Sequence, residues 1–343
     1  MDYRYSGNRL MKVTDATQSA EGFNDDNAAD PGDSNDDFRY DDNGNLTRDD
    51  NKNISAITYN HLNLPVTITF GNGNMITYVY DATGQKLRKT VTENTTTTIT
   101  DYLAGFQYIG GILQFFPTSE GHVQNTVVNG VSTYNYVFTF KDNIGNKRLS
   151  YGMDPSENVL KIMEDNAYYP FGMRHTGYNW TYRTYQNYLN DITIKTPTSY
   201  GGDGIYLYKY NGKEYQQELN LNLYDYGARN YDPAIGRFMN VDALAEKSRR
   251  YSPYAYAMNN PAYFIDPDGM QTVAGSGNDS HGREKYDKFG LYVPERDRGS
   301  IDIAGEIEDF LNKKSEDKGD SNKGTPPDEV NVNTKTKEVT IQK

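Results

Sequence analysis

Apolar and polar residues alternate in short stretches along most of the chain. Residues 75–80 read Met-Ile-Thr-Tyr-Val-Tyr, and residues 134–140 read Tyr-Asn-Tyr-Val-Phe-Thr-Phe. Alternation with a period of two, together with many β-branched and aromatic residues, is typical of half-buried strands. The pattern therefore predicts that residues 38–270 are overwhelmingly β-structure.

A repeated phrase separates these strands. It consists of Tyr, then Asp or Asn, then Gly or Asn, then an aliphatic residue, and its copies begin at Tyr40, Tyr59 and Tyr80. The Asp or Asn side chain can bond the backbone two residues on, and Gly accepts a positive φ, so each copy predicts a tight turn. A period of roughly 20 residues predicts stacked units, because one hairpin cannot bury its apolar face alone. The alternative is an ordinary antiparallel sandwich that is rich in tyrosine.

Other local signals predict a further turn and two loops. Gly110-Gly111 lies between two apolar runs and predicts a two-residue hairpin turn. Residues 17–37 are rich in Asp, whose oxygens suit calcium, but no spacing follows a known calcium loop, so we favour a solvated loop. Residues 176–204 are polar and predict a long loop that holds the only tryptophan, Trp180.

The bulk composition limits the classes of protein to which the chain can belong. A hydrophobic fraction of 36% and a mean hydropathy of −0.85 favour a thin, extended sheet over a single packed globule. The net charge of −12 argues against binding of nucleic acid or anionic membranes. No run approaches the roughly 18 apolar residues of a membrane span, and no apolar segment typical of a signal peptide follows Met1. The absence of cysteine excludes disulfides.

The repeated phrases resemble the tyrosine-aspartate repeats of the RHS/YD-repeat family. Residues 140–148 and 168–173 are similar to two late elements of that family. Residues 223–270 resemble the RHS-associated core that closes the repeat region, on the motifs Leu223-Tyr224-Asp225, Gly236-Arg237-Phe238 and Asp266-Pro267-Asp268-Gly269-Met270. The resemblance implies an all-β fold, a coiled sheet of stacked hairpins. Because the chain starts inside a repeat, we expect a longer array upstream.

The same resemblance divides the chain into three segments. Residues 1–160 hold the repeats and late strands, residues 161–270 form the core, and residues 271–343 are a variable tail. The tail opens with a Gly/Ser-rich linker at residues 274–280. A short helix capped by Ser300 and a hairpin around residues 334–336 follow, so the tail is predicted to be a small, partly disordered α+β region.

The resemblance also implies one reaction. In relatives, two aspartates of the closed core cut the chain just past the Asp-Pro-x-Gly motif, which maps them to Asp242 and Asp266 and the cut to the bond after Met270. Two carboxylates held close share one proton, so one acts as base and the other as acid. Arg237 is expected to orient them or balance their charge. Two departures from the family pattern, Ala243 for Pro and Met270 for Leu, leave open that both aspartates only bond turn amides.

Other chemistry has little support in the sequence. The four histidines are scattered without metal-ligand spacing, and no phosphate loop, dinucleotide fingerprint or nucleophile elbow is present, so we expect no cofactor and no metal. His281, Arg283, Glu284 and Lys285 are compatible with a nuclease-like effector, but an ordinary linker is the simpler interpretation.

Two functions of different classes follow. The resemblance implies a secreted or cell-surface toxin that acts between bacteria. Its shell encloses its own C-terminal segment, and an immunity protein and a secretion system are its expected partners. The alternative is a surface adhesion module whose Tyr-rich strands bind glycans or other proteins.

Overall fold

The computed structural model describes residues 1–17, 22–25, 35–128, 130–154, 159–175, 180–188, 191–194, 199–200, 206–275, 330–333 and 338–341. The chain divides into two compact units, Met1–Pro294 and Glu295–Lys343. The helix expected after Ser300 and the four polar tail residues from His281 to Lys285 lie outside the described residues. The division at residues 160 and 270 stays a prediction.

The first unit is built from antiparallel strands. Those before residue 120 are β1 (Asp2–Ser6), β2 (Arg9–Thr14), β3 (Phe38–Tyr40), β4 (Leu46–Asp49), β5 (Ile54–Tyr59), β6 (Pro65–Phe70), β7 (Met75–Tyr80), β8 (Lys86–Glu93), β9 (Thr96–Leu103), β10 (Phe106–Ile109) and β11 (Ile112–Thr118). The next are β12 (Gly121–Val128), β13 (Val131–Lys141), β14 (Lys147–Asp154), β15 (Val159–Asp165), β16 (Trp180–Tyr188), β17 (Asp191–Ile194) and β18 (Ser199–Tyr200).

Strands β3 to β18 form one 16-stranded sheet. From β3 to β17 each strand pairs with the next one along the chain, and β18 pairs with β16. The all-β prediction is therefore confirmed. The loop predicted at residues 176–204 is wrong, because three strands occupy that stretch and extend the sheet. Its Tyr/Thr alternation, read as polar, is a strand pattern.

The repeated phrases form the turns of this sheet, as predicted. In the turn after Tyr80, the Gly84 N–H donates to the Asp81 carbonyl, and Asp81 Oδ1 accepts from the Gln85 N–H at 2.9 Å. Gly84 has φ +88° and occupies the left-handed region that glycine favours. The predicted hairpin at Gly110-Gly111 is also present, since Ile109 pairs with Ile112.

A shorter segment, residues 206–275, follows the sheet and is called the core segment here. Its strands are β19 (Glu214–Gln216), β20 (Leu223–Asp225), β21 (Asn230–Asp232), β22 (Arg237–Phe238), β23 (Phe264–Ile265) and β24 (Val273–Ala274). Its 3-10 helices are Tyr210–Gly212, Glu218–Asn220, Ala245–Ser248 and Ala257–Asn259. Ala274, predicted to open a linker, instead pairs with Phe264.

The core segment packs against the sheet through two hydrophobic clusters. In the first, apolar side chains of β2 to β7 meet Leu221, Leu223 and Met239 of the core segment. The second is an aromatic cluster within the core segment, formed by Tyr210, Tyr224, Tyr226, Tyr231, Phe238 and Tyr256. These rings are buried, and some of their hydroxyls bond carbonyls of the preceding chain, as Tyr224 does with Gly172 at 3.0 Å. Apolar packing with satisfied hydroxyls fixes the core segment in place.

Buried ion pairs add a second kind of contact between sheet and core segment. Glu214 of the core segment lies between Lys86 and Lys89 of β8, with oxygen–nitrogen distances of 2.6 Å and 2.8 Å. The arrangement is reversed further along the sheet, where Glu164 accepts from Lys147 of the sheet and from Lys209 of the core segment. Each carboxylate thus has two cationic partners in a site with little water, where charge pairing is strong.

β13 is half-buried, as its alternation predicts. Val137 is buried, but the aromatic residues on the opposite face are exposed, Tyr136 to 62%. The alternation therefore predicted the strand, but it did not show which of the two faces is covered by the rest of the protein.

Three other expectations concern metals, membranes and the tail. No group of acidic, histidine or cysteine side chains among the described residues is arranged to hold a metal. Of the helices that the structure describes, none is long and apolar enough to cross a membrane. The hairpin predicted around residues 334–336 has its two strands, β25 (Val330–Asn333) and β26 (Glu338–Ile341).

Candidate functional site

The two aspartates singled out in the sequence converge in the core segment. Asp242 follows β22, and Asp266 directly follows β23. Between them lies Arg229, which immediately precedes β21. One nitrogen of its guanidinium, Nη2, lies 3.2 Å from Asp242 Oδ2 and 3.0 Å from Asp266 Oδ2. The structure therefore brings both carboxylates onto a single cationic group.

Arg229 is held in a fixed orientation by the surrounding backbone. Its Nη1 donates to the Pro253 carbonyl at 3.1 Å, and its Nε donates to the Gly269 carbonyl. Its guanidinium also lies 3.7 Å from the centre of the Phe238 ring. A planar guanidinium with partners along several edges has little rotational freedom, so the positions of the two carboxylates are tied to this residue.

The two carboxylates differ in environment. The Asp266 side chain is 1% exposed, and that of Asp242 is 14% exposed. Burial raises the pKa of Asp266 to about 6, although the Arg229 charge acts in the opposite direction, while the neighbouring Asp268 and Asp242 raise it further. A buried carboxyl with a pKa near neutrality can both accept and release a proton at working pH. The pair is thus asymmetric, as acid–base chemistry requires.

Each carboxylate also supports a turn with its other oxygen. Asp242 Oδ1 accepts from the Leu244 N–H at 2.7 Å, and Asp266 Oδ1 accepts from the Gly269 N–H at 2.9 Å. The turn-bonding role left open by the sequence is therefore present alongside the clamp by Arg229. Catalysis by the pair stays a prediction.

Arg237, expected beside the aspartates, lies elsewhere. Its guanidinium donates to the Asn8 carbonyl at 2.7 Å and lies over the rings of Tyr5 and Tyr254. It fastens the N-terminal hairpin to the core segment, and Arg229 takes the position beside the aspartates. Both arginines lie within residues 223–270, which carry the family resemblance, and nothing in the local sequence indicates which of them contacts the aspartates.

An open cleft of about 490 Å³ lies next to Asp242. Val241 and Pro253 line it on one side, and the Pro253 carbonyl also accepts the Asp242 N–H at 3.0 Å. The turns at residues 6–9 and 42–44 form the other side. The cleft gives solvent a route to the neighbourhood of the less buried aspartate.

No family model matches the chain. Over 66 residues, 19% of the chain, it is 46% identical to Salivary gland surface protein 1 of Aedes aegypti. Over 67% of its length it is 24% identical to the tRNA3(Ser)-specific nuclease WapA of Bacillus spizizenii and 25% identical to the tRNA nuclease WapA of Bacillus subtilis. The chain spans only 2% to 9% of the length of these relatives.

Solved structures of similar fold include the crystal structures of TcdB2-TccC3 and TcdB2-TccC3-Cdc42. The first is 20% identical, covers 63% of this chain and 10% of its own, and has a TM-score of 0.44. The second is 17% identical, covers 78% of this chain and 15% of its own, and has a TM-score of 0.45. The tyrosine-aspartate hairpins and the similarity to the WapA proteins support the resemblance of this chain to RHS/YD-repeat proteins.

Proposed function

We propose that this chain is the C-terminal shell segment and plug of an RHS-repeat toxin that acts between bacteria. In this proposal the sheet is part of a shell, the core segment closes it, and the residues after Met270 are the enclosed effector. The observation that carries it is the convergence of Asp242 and Asp266 on Arg229, directly before the variable tail. Nothing else in the described core segment places two carboxylates on one buried cation next to the end of the family motif.

The proposed reaction is hydrolysis of the peptide bond between Met270 and Gln271. One aspartate removes a proton from water, and the water oxygen attacks the carbonyl carbon of Met270. The other aspartate, protonated, gives its proton to the Gln271 nitrogen as the carbon–nitrogen bond breaks. The products are a carboxylate at Met270 and a free amine at Gln271. Arg229 stabilises the ionised carboxylate of the pair throughout.

Intact mass of the purified chain tests the reaction. The parent is expected to yield two fragments that meet at residues 270 and 271 after hours at neutral pH, while Asp242→Asn and Asp266→Asn remain whole. Asp81→Asn is the matched control, because Asp81 also bonds turn amides but lies in an exposed turn of the sheet. Fragments that persist in both core variants would remove the aspartate mechanism, and the aspartates would then be structural.

The biological setting needs separate tests. Delivery between bacteria requires export, so the full-length protein is expected outside the producing cell or on its surface. It also requires a neighbouring gene whose product protects the producer from the segment after Met270. Toxicity of residues 271–343 in the cytoplasm, relieved by co-expression of that gene, is the expected outcome. No effect of this segment on growth would count against the toxin role.

A second candidate function is a surface adhesion module, favoured by the exposed aromatic face of β13. Tyr134, Tyr136, Phe138 and Phe140 occupy alternate positions and are all exposed. Exposed apolar faces of this kind are common at interaction sites. Binding of the full chain to immobilised glycans, reduced in Tyr136→Ala but not in Asp242→Asn, would support adhesion. If the intact protein binds no glycan, the adhesion function is contradicted and the shell function is the remaining candidate.

A further inference from the structure

In the turn between β23 and β24, carboxylate side chains accept hydrogen bonds from consecutive backbone amides. Asp266 Oδ1 accepts the N–H of Gly269, and Asp268 Oδ1 accepts the N–H of Met270, both at 2.9 Å. The same Asp268 oxygen lies 3.4 Å from the nitrogen of Gln271. Three successive N–H groups are thus directed at two carboxylates.

Two carbonyl groups of this turn are also engaged. The Asp268 carbonyl accepts from the Ala228 N–H at 3.0 Å, and the Gly269 carbonyl accepts from Arg229. Gly269 has φ +77° and packs closely on the backbone of Arg229. A Cβ at Gly269 would lie 3.1 Å from the backbone nitrogen of Arg229. No described residue donates to the Met270 carbonyl. This Met270 carbonyl belongs to the bond at which cleavage is proposed.

We propose that Asp268 is a positioning residue for self-cleavage, which fixes the peptide between Met270 and Gln271 in one orientation. This inference rests on the proposed function and adds a residue to it. Asp268 Oδ1 holds the amides on both sides of the Met270 carbonyl, so it restricts the rotation of the peptide plane that water must attack. Holding a reacting group in one geometry removes much of the entropic cost of reaction.

This role differs from those of Asp242 and Asp266. Asp268 has no contact with Arg229 Nη2, and its contacts require only an oxygen that accepts hydrogen bonds, not a proton that is exchanged. An asparagine supplies such an oxygen, whereas an alanine does not. The conservative variant therefore separates positioning from acid–base chemistry.

The experiment measures cleavage rates from intact mass for the parent, Asp268→Asn and Asp268→Ala, each between pH 5 and 8. Asp268→Ala is expected to slow cleavage by roughly ten- to a hundredfold, because misplaced reacting groups commonly cost that much. Asp268→Asn is expected to stay within about threefold of the parent and to keep the parent's pH profile, since a hydrogen-bonded amide oxygen preserves the geometry. Asp266→Asn should abolish cleavage.

A second measurement covers the case in which Asp268→Ala unfolds. In an Asp242→Asn background, where the chain stays whole, hydrogen exchange at the Met270 and Gln271 amides is expected to be faster with Asp268→Ala than with Asp268→Asn. Equal exchange in both would overturn the positioning role. A parent that cleaves while Asp268→Ala cleaves at the same rate would overturn it too and leave the proposed function intact. A parent that never cleaves would overturn the reaction and this role together.

Discussion

The hydroxyl of Tyr80 donates a hydrogen bond to the backbone carbonyl of Pro65 at 3.0 Å. Pro65 is the first residue of the strand that follows the preceding turn, and the same link recurs from Tyr59 to Leu46 and from Tyr168 to Lys147. Each Tyr of a phrase thus fastens its own hairpin to the one before it. The tyrosine of the repeat is a connector between units as well as a packing residue.

Removal of one such hydroxyl should weaken the sheet. Tyr59→Phe and Tyr80→Phe each leave a partly buried carbonyl without its donor, so the free energy of unfolding is expected to fall by roughly 1–3 kcal/mol. Tyr136→Phe is the matched control, because Tyr136 is 62% exposed and its variant should not differ from the parent. Urea denaturation followed by tyrosine fluorescence measures the difference. Equal stability of all three variants would contradict the connector role.

Alanine substitutions at two glycines with similar backbone conformations distinguish two costs. One is the strain of a left-handed turn, and the other is the loss of packing against the core segment. Gly73 has φ +84° and open space around it, whereas a Cβ on Gly44, with φ +80°, would lie 2.6 Å from Val241 and 2.8 Å from the Tyr254 hydroxyl. Gly73→Ala should cost roughly 1–2 kcal/mol from the left-handed backbone alone. Gly44→Ala should cost a further ~1–3 kcal/mol, because the core segment must shift. Thermal denaturation of the two variants tests this, and identical losses would rule out docking at Gly44.

The buried charge of Glu214 should matter far more than a surface pair. Glu214→Gln leaves Lys86 and Lys89 without their shared carboxylate, and breaking a buried pair typically costs ~3–5 kcal/mol. Asp101→Asn removes the exposed partner of Arg88 and should leave the stability close to that of the parent. Denaturant titrations of both variants at pH 7 provide the comparison. A Glu214→Gln variant as stable as Asp101→Asn would show that the cluster does not hold the core segment.

Ionisation of Asp49 should make the free energy of unfolding depend on pH. Burial raises the pKa of this carboxyl from 3.8 to about 7, with Lys52 opposing the shift and Asp232 and Asp37 adding to it. The folded protein therefore binds the proton more tightly, and the free energy of unfolding should fall as the pH rises from about 4 to about 7. Asp49→Asn should remove that fall.

Melting temperatures of the parent and Asp49→Asn between pH 4 and 8 measure this effect. The two proteins should converge near pH 4, where Asp49 is protonated, and the variant should be the more stable one at pH 8. Asp81→Asn serves as the control, because hydrogen bonds from Thr83 and Gln85 lower the pKa of Asp81. Ionisation of Asp81 therefore stabilises the folded protein, whereas ionisation of Asp49 destabilises it. Parallel curves for the parent and Asp49→Asn would contradict the raised pKa.

Local interactions explain which parts of the fold were predictable. A turn such as that at Asp81 is closed by residues within four positions of one another, so its pattern is visible in any short window. The hairpin at Gly110-Gly111 and the pairing of β25 with β26 are predictable for the same reason. The strands after Trp180 were missed because threonine and tyrosine were counted as polar rather than as strand-forming residues.

Long-range pairing explains what the sequence could not reveal about the site. Asp242 and Asp266 were identifiable only through the family motif. The sequence pointed to Arg237 as their partner, whereas the structure places Arg229 beside them. The residues next to each arginine in the sequence do not indicate its partner. The partners become different only when distant parts of the chain pack together. Arg237 reaches Asn8, 229 residues earlier, which leaves Arg229 to clamp the aspartates.

The contact between Arg237 and Asn8 also bears on the order in which the protein folds. Neighbouring strands of the sheet are joined by short turns, so they can pair as the chain emerges during synthesis. The core segment comes after the sheet in the chain, and its partners range from Asn8 to Gly172. These contacts can form only when the strands and turns that carry the partners are in place. The Arg229 clamp then assembles after the strands and turns that carry these partners, and under the proposed function cleavage reports that they are in place.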